Sequence, residues 1–194
     1  MTAPVAKPKT EPLAEVLAKP ARLSDEARRL LEAGQTAPLY VERLVAAEHY
    51  EDAVTFLAYA LPRRAGTWWG CLALWRLAGP DLAPLERDRL CAVVAWVLEP
   101  TDDHRRAAAR HGEQSDYATP ASWLAVTAGV DEGVDPSKAP ASAMAAGGLL
   151  CALELAVAMA DPLQADDNRH HIAVLGLEML GGTYCFPKAK KREG

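Results

Sequence analysis

The chain has 194 residues and a formal net charge of -5, with half of its residues hydrophobic and only 6% aromatic. A chain of this length buries roughly 70% of the surface its unfolded form exposes, so no disulfide or metal staple is required. The acidic balance argues against a general nucleic-acid binder, whose phosphate contacts need a clustered basic surface, and the dominance of Ala and Leu without alternating Val, Ile and Thr runs argues against sheets.

Residues 1–21 carry Pro4, Pro8, Pro12 and Pro20 among lysines, a composition that predicts a disordered N-terminal tail. Its one apolar patch, Leu13 to Leu17, is suited to docking as a short turn on the body or on a partner. No apolar core with a cleavage site follows Met1, so no secretory signal is expected and the expected location is cytoplasmic. Residues 22–186 are expected to form a single helical domain, and 187–194, with Lys188, Lys190, Lys191 and Arg192, a basic C-terminal tail that is either a solvated end or a handle for an acidic partner.

Ser24 is placed to cap a helix over 25–33, with Asp25 and Glu26 in its first turn and Gly34 as its stop. Beyond Thr36 and Pro38, the apolar spacing predicts a helix over 39–47, a break near Glu48 and a helix over 50–61. This pair has the look of a tetratricopeptide repeat, but its length is wrong and no second copy recurs at a fixed period, so an irregular bundle is expected instead of a solenoid.

The stretch LPRRAGTWWGCLALWRLAG, 61–79, holds three of the five tryptophans and is the segment around which the other helices are expected to gather. Pro62 ends the preceding helix, and Trp68, Leu72 and Trp75 then recur on one face with Trp69 off it, while Cys71, Leu74 and Ala78 widen the stripe. Two readings stand: a core helix, or a partly exposed aromatic ridge for a partner.

Leu85, Leu90, Val93, Val94 and Val97 predict a helix over Pro84–Leu98 ended by Pro100. Thr101 is a cap for 101–111, TDDHRRAAARH, expected to be a solvated helix with little to bury. Pro120 stands at a first helical position before 121–128, and 129–140, GVDEGVDPSKAP, is expected to be a flexible or functional loop.

The run 141–160 approaches the length of a membrane span, but its Ala and Gly content and Glu154 oppose insertion, so no span is expected. The expected alternative is a central helix whose Ala145, Ala146, Gly147 and Gly148 let the tryptophan helix approach closely, large side chains meeting small ones. Glu154 is then either exposed at the helix rim or buried beside an Arg. Ile172, Leu175 and Met179 mark a last helix over 164–180 stopped by Gly181 and Gly182. The fold class expected is all-α, an irregular bundle of about seven to nine helices.

Cys71, Cys91, Cys151 and Cys185 lack any CxxC pairing and stand mostly in apolar runs, as small buried hydrophobes in a reducing compartment would. No GxSxG, GxGxxG or GxxxxGK[ST] pattern is present, so no nucleophile elbow, nucleotide cradle or cofactor is expected. The rival reading is a metal-binding protein or metal-dependent enzyme using His104, Asp167, His170 and His171. In a helix Asp166 and His170, or Asp167 and His171, lie four apart on one face, which supplies two ligands where a usable site needs three or four.

At Leu61-Pro62, Arg63-Arg64 and Trp68-Trp69 the chain resembles an uncharacterised family of small helical bacterial proteins that carry a leucine-proline, basic pair, small residue and double tryptophan signature. Trp123 and the Ala-rich helix near 141–160 are looser echoes, and the likeness covers about residues 39–180. It departs from the pattern at Ala65 and Gly66, where an acidic residue and Ala are expected. The resemblance implies a cytoplasmic helical protein without assigned activity, associated with bacterial secretion-system gene neighbourhoods. The expectation is therefore a non-enzymatic interaction or adaptor protein of a bacterial assembly, with a protein partner held at Arg63, Arg64, Trp68 and Trp69, aromatic and arginine side chains being enriched at binding hot spots. Self-association through the Ala- and Gly-rich helix is a further expectation.

Overall fold

Short polar side chains, Ser24, Thr101, Thr119 and Ser142, cap the starts of four of the described helices. The computed structural model describes residues 13–131, 133, 136 and 142–182. Among them are ten α-helices and no strand. In order they are α1 (Ala14–Leu17), α2 (Asp25–Arg29), α3 (Ala37–Ala46), α4 (Tyr50–Ala60), α5 (Arg63–Ala78), α6 (Pro84–Leu98), α7 (Asp102–Glu113), α8 (Pro120–Gly129), α9 (Ala143–Met159) and α10 (Ala165–Leu180), with 3-10 turns at Gly79–Asp81 and Pro162–Gln164. Ser24 Oγ accepts from the Ala27 N–H at 3.1 Å and Thr101 Oγ1 from that of His104 at 3.3 Å. Thr119 and Ser122 cap each other reciprocally at the start of α8, satisfying N–H groups that a helix start otherwise leaves unpaired. The break between α3 and α4 falls at Glu48, whose φ of 61° places a side-chain-bearing residue in the left-handed region.

α5 and α9 pack against each other in the centre, with α6, α7 and α8 gathered on one side and α3, α4 and α10 on the other. The expected meeting of the tryptophan helix with the small-residue helix occurs, with the sizes reversed. Gly66 and Gly70 of α5 receive Leu149 of α9: a Cβ on Gly70 would stand 2.8 Å from Leu149 Cδ1 and 2.5 Å from Leu124 Cδ2 of α8. The leucines are the large partners and the glycines of the tryptophan helix the small ones.

Two expectations change. Residues 13–21 belong to the body: Ala14, Leu17, Ala18 and Ala21 are buried, and the Ala14 N–H donates to Gln35 O at 2.8 Å beside an antiparallel bridge between Leu13 and Thr36. The patch from Leu13 to Leu17 docks on the body, one of the two places expected for it, and Ala18 and Ala21 are buried with it. Residues 1–12, and the basic tail with Cys185, lie outside the described residues. α7 buries little, only Ala108 and Gly112, as expected of it, but it is packed closely on α8, with Gly112 against Val126 and Ala109 against Gly129, and small residues that bring two backbones together leave no apolar stripe to read. Of the three described cysteines, all free thiols, Cys71 is buried while Cys91 and Cys151 are exposed.

Glu154 combines its two readings. Its side chain is 37% exposed and its Oε2 accepts from Arg169 Nη2 at 2.7 Å. No described helix is long and apolar enough to cross a membrane.

Candidate functional site

The chain turns from α4 into α5 at Leu61 and Pro62. Leu61 is buried and its N–H closes α4 on Leu57 O at 3.0 Å, and Pro62, in extended conformation, leads directly into the first turn of α5. The two arginines that follow are spent on the ends of two other helices. Arg63 is 3% exposed, its Nη1 donates to Val130 O at the C-terminal cap of α8, and its guanidinium carbon lies 4.9 Å from the centre of the Trp96 ring on α6. Arg64 Nε donates to Val97 O at 2.6 Å and Nη2 to Leu98 O at 3.1 Å, at the end of α6. Carbonyls in a last helical turn lack intrahelical donors, and cations there are favoured by the helix dipole; the guanidinium over an indole adds a cation–π attraction.

Trp69 is fully buried, and its indole N–H donates to Ile172 O of α10 at 2.9 Å. Trp68 is half-buried, and Trp75 is 53% exposed. The stripe read from Trp68, Leu72 and Trp75 is therefore the outer side of α5, and the inner side is Gly66, Thr67, Trp69, Gly70, Ala73 and Leu74. Glycine carries no hydrophobic weight, so a core face built on Gly66 and Gly70 is invisible to a count of large apolar residues. Of the four residues expected to hold a partner, Arg63 and Trp69 lie inside the protein, the Arg64 guanidinium is bound to the end of α6, and Trp68 is half-buried.

The second set of sequence candidates is divided between two helices on opposite sides of the bundle. His104 lies on α7, its Nδ1 2.8 Å from Glu99 O, while Asp167, His170 and His171 lie on α10. His171 Nδ1 is 2.7 Å from the backbone O of Asp167, and the His170 ring packs 5.0 Å from Tyr50 of α4 and 5.7 Å from His171. Asp102, beside His104, is bound by Arg105, whose hydrogen bond holds its carboxyl below the ordinary carboxylate value. Among the described residues no three His, Cys, Asp or Glu side chains converge to hold a metal ion.

Two solvent-open surfaces lie where the sequence carried no motif. A cleft of about 490 Å³ opens between the end of α5, the start of α6, the start of α8 and the end of α9, walled by Leu74, Leu77, Leu82, Pro120, Ala156 and Met159. Asp81 and Glu86 also line it. Glu86 Oε1 accepts from Arg89, whereas its Oε2 is buried with no hydrogen-bond partner among the described residues. On the other side of residues 117–120, a shallower hollow of about 440 Å³ is lined by Tyr117, Trp123, Cys151, Leu155 and Ala158, with Glu154 also on its wall. Tyr117 holds φ at 58° and its ring 5.4 Å from that of Trp123. The cleft is assembled from the ends of four helices and leaves no local signal; the hollow had one, a long apolar run interrupted by a single charge, Glu154.

A family model described as "Family of unknown function (DUF6931)" matches residues 40–180. No curated protein and no solved structure matches the chain.

Proposed function

We propose, for a chain that belongs to the family of unknown function DUF6931, that its function is to bind another protein as a non-enzymatic adaptor or accessory component of a bacterial assembly. The observation that carries this reading is the apolar cleft at the end of α5. Its walls are mostly aliphatic, it is open to solvent, and its polar side chains are Asp81, Glu86 and Thr119, the last committed to the start of α8. The carboxylate of Asp81, exposed at the rim of the cleft, is the group that an occupant's basic side chain can reach. The occupant that fits is a short helical segment with two apolar side chains a turn apart and a basic residue beside them, laid into the cleft by its apolar face. The secretion-type setting is the finer part of the proposal and is supported by the Leu-Pro-Arg-Arg and Trp-Trp resemblance.

The test is affinity purification of the full chain from bacterial cells after crosslinking, set against Asp81→Lys with Ala83→Arg, two exposed positions on the cleft. The expected outcome is one protein recovered with the wild type, lost about tenfold or more with the variant, and bound again when both are purified and mixed. A partner held equally by both chains, or none recovered, rejects the reading. A recovered partner that belongs to no secretion apparatus rejects the finer part.

A further inference from the structure

α9 carries Glu154 as its one charged residue, and the salt bridge to Arg169 of α10 answers that charge within the chain. A helix that is apolar all round is ordinarily enclosed. α9 is not: one side is buried, while Met144 is 68% exposed and Cys151 and Ala158 are exposed on the other, with Gly147 and Leu155 half-exposed between them. These five residues stand three, four, four and three apart in the sequence. At about 100° per residue they fall within an arc of roughly 80° and along about 21 Å of helix.

The spacing is symmetric about Cys151, and the sizes are complementary under that symmetry. Reversing the helix about Cys151 puts Met144 opposite Ala158, Gly147 opposite Leu155 and Cys151 opposite itself. Each large side chain meets a small one, and a Cβ added at Gly147 would touch nothing within 4 Å of its own chain, so the space facing Leu155 is open. The hollow of Tyr117 and Trp123 borders Ala158, where an opposing Met144 would set its thioether beside two aromatic rings, a favourable sulfur contact. We propose that this face is an isologous interface with a second copy of the chain, two α9 helices packing antiparallel about a two-fold axis at Cys151. A surface with no unanswered charge and a self-complementary profile matches its own copy. Association of identical acidic chains is opposed by their net charge of -5, and the one carboxylate that borders this face, Glu154, is paired with Arg169 of its own chain, which limits repulsion at the contact itself. The interface stands on observations separate from the cleft, and either can fail without the other.

Sedimentation equilibrium of the full chain tests it, together with bis-maleimide crosslinking in a Cys91→Ser, Cys185→Ser background. The expected result is a dimer at about 100 μM or below, crosslinked through Cys151, with Leu155→Arg and Met144→Glu each weakening association about tenfold or more while leaving the helical circular dichroism unchanged, since both positions reach solvent. Gly147→Leu, which fills the space facing Leu155, weakens the dimer equally. A monomeric mass up to that concentration overturns the proposal. So does a dimer that both variants leave intact, or one that Cys151 fails to crosslink.

Discussion

Trp69 and Gly176 are fitted to each other across the contact of α5 with α10: a Cβ on Gly176 would stand 2.9 Å from the indole Cε2, and 2.7 Å from Leu57 Cδ1. The same indole donates to Ile172 O one turn earlier. Gly176→Ala is expected to destabilise the protein by about 1–3 kcal/mol through overpacking, and Trp69→Phe by a similar amount, about 1–3 kcal/mol, through the lost donor and the smaller ring. Combined, the two should cost less than their sum, because the smaller ring relieves part of the clash. Urea unfolding at constant slope reads all three. Full additivity would place the clash on Leu57 alone, and a neutral Trp69→Phe would contradict its packing role.

α7 and α8 touch closely enough that Gly129 has no room for a side chain, a Cβ there lying 2.8 Å from the Cα of Ala109. The obstacle is backbone, so no rotamer change relieves it. Gly129→Ala is expected to cost about 2 kcal/mol or more by forcing the helices apart, despite the gain in helix propensity. A denaturation midpoint equal to that of the wild type would mean that α7 is held loosely after all.

Alkaline stability should report on Tyr40. Its hydroxyl donates to Ala27 O at 2.8 Å, and burial, then the nearby Asp52 charge, pushes the phenol from its ordinary value of 10.0 up to about 12, against a smaller opposing effect of Arg28. Below the unfolded value the phenol is protonated in both states and its contribution is complete. As pH rises from 10 through 12, the unfolded chain ionises first and that contribution is lost. The expected outcome is a wild-type stability that falls across this window and a Tyr40→Phe protein whose stability is lower at neutral pH but falls less steeply there. Parallel curves for the two proteins would remove Tyr40 as the cause.

Thiol reactivity separates the described cysteines. Enclosure pushes the Cys71 thiol far up, with burial as the cause, while Cys91 and Cys151 are exposed. Iodoacetamide on the native protein at neutral pH should therefore modify Cys91 and Cys151 and spare Cys71 until denaturant is added. Peptide mass spectrometry identifies the sites. Labelling of Cys71 at the rate of Cys91 would show that α5 opens readily.

Elements whose ends are decided locally were legible in the chain. Ser24, Thr101 and Pro120 mark helix starts because a cap or a helix-start proline acts within one turn, and α6 has the boundaries that Pro84 and Pro100 impose. What was not legible depends on partners distant in sequence. The buried side of α5 is decided by Leu124 and Leu149 reaching into Gly66 and Gly70, and α1 is held by the backbone of Gln35. The site residues followed the same division. Arg63, Arg64 and Trp69 could be singled out by their types, but their roles depend on carbonyls 33 to 103 positions away, which no spacing rule reaches.

The paired arginines have a consequence for how the bundle opens. Helix ends ordinarily fray one by one, each with its own low free energy of opening. Here the first turn of α5 holds the last carbonyls of both α6 and α8 through adjacent residues. Loosening either end disturbs the anchor of the other, so the amides of these three termini should exchange with solvent as a single cooperative unit.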